Sequence, residues 1–574
     1  MKDRVKNEII LDKSGVWVLA DRNKFNYSDG HFSELYLKRA FTDVKDLSST
    51  SYELEKWIKD WPSEYHLSRK RSQLLSGFDF DRSKKVLEVG CGCGAITRFL
   101  GETFDDIVAV EGSAARAKLA RLRTKDMGNI SILCGLFQEI KFKKCFDIVF
   151  CIGVFEYSNM FVNAADPYDS ILQYFHDVLT PDGVVVLAIE NQFGLKYFSL
   201  STEDHTNVMF DGLEGYPHYG KKARTFGYGE LKVRLSKHFN NIDFYFPYPD
   251  YKIPSCVVSE RLFSKVKAGE LVGNFRSRDY IRKRKPLFDN KLVILELDKN
   301  NKLPFFSNSF LVVAGKKNVT SVKFKQLGIM FSSGRLAKLQ TVTRFLEHND
   351  DGVVVHKAPM GYHDDVQTDS LTLRACKYRW VDGLSLNAQV MKRVKERNIS
   401  LEELFAPCQL WLKRLNTLSY REDDTLFLDG KYVDCIWSNS FIHDGDCVFI
   451  DREWEWAEPI KINVIIIRAI YIFLDEISSM IDLNPILNIR SRKVLISRIA
   501  KTLGIEVNKK DFMEFANLEA EISRIVFGAN RTKNSFYIKF ILWNQRLFAL
   551  SRNAKDNFKK ALQRLRRVIG RFRR

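Results

Sequence analysis

Short apolar runs alternate with amphipathic stretches along the first third of the chain. Residues 86–89 are apolar except for Glu88, and a helix pattern begins directly after them at about residue 95. A second run, 107–110, ends on Glu111, and a third, 145–153, is almost wholly apolar. Such runs predict central parallel strands covered on both faces. A helix pattern over 168–179 closes on Pro181, Asp182 and Gly183, and 184–189 predicts another buried strand. Strands alternating with helices imply a doubly wound α/β sheet, which takes its ligand beyond the carboxyl ends of the strands. Those ends carry Gly90 to Gly94, Glu111, Gly112, Leu136, Phe137, Cys151 to Glu156, Glu190 and Asn191. A strand over 15–20 and a helix over 34–41 make residues 1–60 an accessory N-terminal segment.

The most informative motif joins the first strand to its helix. Gly90-Cys91-Gly92-Cys93-Gly94 places glycines at alternate positions, so the backbone turns tightly and a ligand lies against bare main chain. The dinucleotide fingerprint G-x-G-x-x-G is not met, because Ala95 stands three residues after Gly92. With Glu88 before the loop and Glu111 ending the next strand, this region resembles class I S-adenosylmethionine-dependent methyltransferases. The resemblance implies a Rossmann-like sheet over 61–300. It implies cofactor contacts from Glu88, Gly90, Cys91, Gly92, Gly94, Glu111, Gly112, Leu136, Phe137 and Cys151, with Glu111 accepting the ribose hydroxyls. Phe137 is a candidate for packing on adenine or for the core. Further words, from Trp61 through Glu190-Asn191-Gln192 and Glu203-Asp204-His205 to Tyr251-Lys252, resemble a bacterial methyltransferase family of surface-polysaccharide (O-antigen) assembly. Methyl transfer needs an in-line acceptor and, for a hydroxyl, a base. Glu190 and His205 are the catalytic candidates, and the acids before His205 favour its imidazolium form.

From about residue 322 the pattern changes to short strands, with a helix pattern over 401–418. Lys357 ends a strand, Trp380-Val381-Asp382-Gly383 follows, and Asp434 and Asn439 stand five residues apart before Asp451. This resembles the protein-kinase-like fold of small-molecule kinases, in a degenerate form, over 301–500. The resemblance implies Lys357 on nucleotide phosphates, Asp434 as catalytic aspartate, and Asn439 and Asp451 on magnesium, hence ATP as second cofactor. Tyr432 stands where a histidine is usual, Ile436 where a basic residue is usual, and little chain is left for the helix whose acid would pair with Lys357.

Charge adds a third expectation. The 574 residues carry a net +19, of which residues 551–574 hold ten Lys or Arg against Asp556 alone. Phe558, Leu562, Leu565, Ile569 and Phe572 form one stripe, so 501–574 reads as a helical basic tail whose last part lies on an anionic membrane surface. The stripe argues against a nucleic-acid arm, and so does the lack of an Asn/Asp-Pro-Pro-Tyr word after the fourth strand. Ten cysteines without regular spacing make no disulfide framework, and 464–474 is too short to span a bilayer. The reading is a cytoplasmic enzyme, peripheral at the cytosolic face of the inner membrane. It modifies or terminates a lipid-linked glycan and docks on a glycosyltransferase or polymerase. The alternative is a cofactor-binding assembly factor for a glycosyltransferase with an inactive kinase-like scaffold.

Overall fold

A computed structural model describes residues 1–20, 30–143, 146–218, 223–282, 287–317, 322–349, 352–361, 365–487 and 491–528. The basic stripe over 551–574 lies outside the described residues. The chain divides into two compact units, Met1–Phe331 with Arg344–Glu347, and Ser332–Thr343 with His348 onward.

Eleven described strands of the first unit share one sheet: β1 (Ile9–Leu11), β2 (Trp17–Leu19), β3 (Lys85–Val89), β4 (Asp106–Glu111), β5 (Ile130–Cys134), β6 (Phe146–Ile152), β7 (Leu179–Glu190), β8 (Asn241–Tyr248), β9 (Cys256–Ser259), β10 (Ser309–Gly315) and β11 (Gly328–Phe331). Their order is β1-β2-β5-β4-β3-β6-β7-β10-β8-β9-β11. The five strands from β5 to β7 are parallel, and β10 is inserted antiparallel between β7 and β8. The parallel strands carry Val86, Leu87, Val108, Ala109, Ile148, Val149, Val185 and Val186 at 0% exposure. Helices cover both faces, which is why these runs are apolar throughout instead of alternating.

Helices α1 (His31–Asp43), α2 (Ala95–Thr103), α3 (Ala114–Arg123) and α4 (Pro167–Val178) start from local signals. Gly94 precedes α2 in the left-handed region, φ 85°, and Asp166 caps α4 by accepting from the backbone N–H groups of Tyr168 and Asp169. Successive strands run outward in opposite directions from the β3/β6 pair, so the glycine loop after β3 opens at the sheet's topological switch point.

The expected start of a second domain near 301 falls inside the first unit, since β10 pairs with β7 over seven residues from Ser309–Glu190 to Gly315–Val184. Burial gives the reason: all seven β10 residues are buried, and the strand lies inside the sheet with a partner on each side.

The second unit contains β12 (Gly352–Pro359), β13 (Leu371–Leu373), β14 (Cys376–Arg379), β15 (Ser440–His443), β16 (Asp446–Phe449) and β17 (Trp454–Trp456). Its helices are α5 (Leu386–Arg393), α6 (Cys408–Leu418), α7 (Ile462–Ile477), α8 (Arg492–Thr502) and α9 (Lys509–Phe527). β12 pairs antiparallel with β14, β13 with β17, and β15 with β16. The helix pattern over 401–418 is two helices, Leu401–Phe405 and α6, with Pro407 at the junction. The apolar stretch around 464–474 is the buried core helix α7, and among the described residues no helix is long and apolar enough to cross a membrane.

Candidate functional site

The glycine loop is shaped by its own backbone. Gly90 and Cys91 both donate to the Val110 carbonyl at 2.9 Å, and Gly94 donates to Cys91 at 3.0 Å. Gly90, Gly92 and Gly94 take φ of 72°, 57° and 85°. A Cβ on Gly90 would meet Val154 Cγ2 at 2.4 Å, so both the conformation and the space require glycine there.

Glu111 organises the loop from the neighbouring strand. Its carboxylate accepts from the Gly92 N–H at 2.8 Å and from the Ser113 N–H at 2.9 Å. The same side chain lines a cavity of about 320 Å³ in the first unit, a size suited to a small-molecule ligand. Glu88, Gly90, Cys91, Gly92, Gly112, Leu136 and Phe137 line it too. Phe137 packs edge-on against Tyr174 and stacked on Phe175, so it serves the core while facing the cavity. Cys151 and Gly94 stand apart from that lining: Cys151 is at 0% exposure inside β6, where Ile152 and Gly153 reach the cavity instead, and Gly94 caps α2. Cys91 and Cys93 are buried free thiols. Burial, reinforced by the Glu111 charge, pushes the Glu88 carboxyl up to about 8.

A dense charged cluster forms another wall. His205 Nδ1 lies 3.0 Å from Glu203 Oε1, and its Nε2 lies 3.6 Å from Glu156 Oε1 and 3.8 Å from Glu190 Oε2. Glu203 also accepts the backbone N–H groups of His205 and Thr206, at 2.7 and 2.6 Å. Burial works against a charged ring at His205, yet Glu190 and Glu203 with Glu156 hold its pKa well above the ordinary value. Both expected catalytic candidates therefore meet, Glu190 fully buried and His205 in the cavity wall. Asp204 turns elsewhere: it pairs with Lys196, lies 3.3 Å from Lys252, and accepts from the Tyr197 hydroxyl at 2.7 Å. Lys252 also reaches Glu190 Oε1 at 2.6 Å.

Lys252, Lys196 and Tyr251 carry no role in the sequence reading, and Glu156 appears there only as part of a strand end at the ligand edge. Lys252 is more than forty positions from its acids in the chain, and only the fold brings them together.

The second unit gathers its own charges. Lys357, 3% exposed on β12, lies 2.7 and 2.9 Å from the two oxygens of Asp451 and 2.8 Å from Glu453. Arg335 closes on Glu453 with two bonds, at 2.6 and 3.1 Å. Burial works against its charge, but Asp451 and Glu453 hold the Lys357 pKa above the ordinary value. Asp434 accepts from Asn439 Nδ2 at 3.0 Å and from Arg468 at 2.7 Å. The four sequence candidates thus form two bonded pairs, Lys357 with Asp451 and Asp434 with Asn439. A second acid beside Lys357 is Glu453, two residues beyond Asp451, which the sequence pattern does not single out. Asp365 instead pairs with the exposed Arg374 at 2.7 Å.

Residues 87–187 match the family described as a methyltransferase domain. The protein carries an S-adenosylmethionine-dependent methyltransferase domain. The match spans β3 to β7 and so includes the glycine loop, Glu111 and the switch point. No curated protein matches the chain. Among solved structures, similarity extends to a complex between a Haloferax volcanii methyltransferase activator and its methyltransferase, at 16% identity over 44% of this chain and 90% of that one, TM-score 0.27. It extends to phosphoethanolamine N-methyltransferase 1 of Haemonchus contortus, at 14% identity over 52% and 53%, TM-score 0.26. An S-adenosylmethionine-dependent methyltransferase of Thermotoga maritima shares 14% identity over 50% and 100%, TM-score 0.26.

Proposed function

We propose that the methyltransferase domain modifies a lipid-linked bacterial surface glycan, with a kinase-like second unit and a membrane-docking tail. The observation that carries the reading is convergence at one cavity. The words that resemble the polysaccharide family are scattered over nearly two hundred residues, and Trp61, Tyr65, Asp204, His205, Tyr251 and Lys252 from them line the same cavity as the glycine loop.

In this reading the bare main chain of the glycine loop and Glu111 hold S-adenosylmethionine, which supplies the methyl group. Glu111 already faces the loop with both oxygens engaged by main-chain donors, so its position is fixed before ligand arrives. The cationic faces of His205 and Lys252 orient an acceptor oxygen bearing negative charge, a phosphate on the glycan or an ionised hydroxyl. Buried Tyr251 and half-buried Tyr157 screen the acceptor from water.

The second unit would take nucleotide phosphates at Lys357 and magnesium at Asn439 and Asp451. One observation favours the scaffold alternative for that unit. Arg468 and Asn439 both hold Asp434, and Lys357 is neutralised by two carboxylates, so its polar groups are satisfied by one another. The basic stripe over 551–574 would keep the chain at the anionic membrane face beside a glycosyltransferase.

The test uses cells making the Glu111→Ala protein. The reading requires loss of glycan methylation with protein abundance unchanged; unaltered methylation and glycan length contradict it. Deletion of 551–574 should release the protein from the membrane fraction, and pelleting that persists contradicts the docking role.

A further inference from the structure

Three metal-ligating side chains meet in the first unit at ion-pair distances beyond hydrogen-bond reach. Glu156 comes from the turn after β6, Glu190 ends β7, and His205 comes from the segment beyond. One donor atom from each lies within 4.8 Å of the other two. His205 Nε2 is 3.6 Å from Glu156 Oε1 and 3.8 Å from Glu190 Oε2, too far for hydrogen bonds. Donors about 2.1 Å from a common cation lie about 3.4 Å apart in tetrahedral geometry, close to these spacings.

A second observation is independent of that proximity. Glu156 Oε2 and Glu190 Oε2 have no hydrogen-bond partner among the described residues, although Glu156 is 1% and Glu190 0% exposed. Buried carboxylate oxygens without partners are costly, and such atoms call for an unseen one. Glu156 lines the cavity, so the partner has a route of entry.

The surroundings are those of a ligand histidine. Glu203 takes Nδ1 at 3.0 Å and also the His205 and Thr206 backbone, which fixes the ring with Nε2 toward Glu156 and Glu190. A carboxylate behind a metal-binding imidazole does the same work in many sites. Four carboxyl groups, those of Glu156, Glu190, Glu203 and Asp204, crowd around two ammonium groups, Lys196 and Lys252.

We propose that Glu156, Glu190 and His205 bind one divalent metal ion of the manganese, magnesium or zinc class in the cavity wall. Two carboxylates and one imidazole suit such ions, and the remaining coordination positions face the cavity, where an acceptor's hydroxyl or phosphate oxygens would fill them. Metal entry displaces the Nε2 proton, so uptake releases a proton. The role toward an acceptor rests on the methyltransferase reading; the metal binding does not.

The experiment is titration of full-length, chelator-stripped protein with manganese alone, followed by loss of the free-ion electron paramagnetic resonance signal. Wild type should take up one ion at this site. Glu156→Gln and His205→Gln should each weaken uptake about 100-fold, while Arg374→Ala, on the exposed surface of the second unit, leaves it unchanged. Calorimetry with S-adenosylmethionine on the same variants shows that each is folded. Two results overturn the site: no uptake by wild type up to about 1 mM, or undiminished uptake in Glu156→Gln and His205→Gln. Absent manganese uptake with S-adenosylmethionine still bound would overturn the metal and leave the methyltransferase reading standing.

Discussion

The two units each bury a knot of acids and bases, and the knots are built on opposite terms. In the second unit nearly every charge has a direct partner: Lys357 takes Asp451 and Glu453, Arg335 takes Glu453, and Arg468 and Asn439 share Asp434. In the first unit the Oε2 atoms of Glu88, Glu156 and Glu190 are buried without hydrogen-bond partners beside an open cavity. A knot closed on itself must break ion pairs to admit a ligand, whereas one with orphaned oxygens gains when a ligand arrives.

The largest effect that would sharpen this contrast is the pH dependence of Glu88. The folded carboxyl keeps its proton up to about 8, while the unfolded one loses it near its ordinary value of 4.5. Its stabilising contribution is therefore intact below the unfolded value and is lost as pH rises through about 8, an amount of at most roughly 5 kcal/mol. Urea unfolding of wild type and Glu88→Gln at about pH 5 and about pH 9 checks it. The variant should lose less stability on going alkaline, and parallel losses would contradict the burial argument.

Next in size is Lys357→Met, which leaves Asp451 buried without its cation and Glu453 with Arg335 alone. Removing one partner of a buried pair costs about 3–5 kcal/mol, so thermal unfolding should show the second unit melting earlier while S-adenosylmethionine binding is kept. Equal melting temperatures would mean that the knot is not closed in the way described.

Much of this was legible in the chain. The apolar runs at β3, β4, β6 and β7 are readable because a strand covered on both faces is apolar along nearly its whole length, and the glycines after β3 because positive φ at alternate positions favours glycine. Glu111 was readable because its place at a strand end follows from the same pattern. What could not be read was the partner of each charge. Glu156, Lys252 and His205 come from three separate segments, and Glu453 reaches Lys357 from nearly a hundred residues along the chain. Such pairings depend on how loops fold back onto the sheet edge, for which local periodicity carries no signal. The same limit explains why β10, lying far along the chain from β7, was assigned to the wrong side of the 300/301 boundary.

A moderate effect is expected at the loop itself. Gly90→Ala should cost about 1–3 kcal/mol and weaken S-adenosylmethionine binding, since its Cβ meets Val154 and φ is 72°. Adding Val154→Ala restores the space but not the conformation, so calorimetry should show partial recovery; full recovery would put the whole requirement on sterics. The smallest effect belongs to the exposed pair of Arg374 and Asp365, where Arg374→Ala should change stability by no more than about 1 kcal/mol. A larger loss in a thermal melt would give the second unit's surface a weight that this description denies it.

The most direct test of the contrast is calorimetric titration of one preparation of the full chain with S-adenosylmethionine and then with ATP and magnesium. Saturable S-adenosylmethionine binding that falls about tenfold or more in Glu111→Gln, with weaker ATP binding, is the predicted result. Tighter binding of ATP than of S-adenosylmethionine, or S-adenosylmethionine binding indifferent to Glu111→Gln, would contradict it.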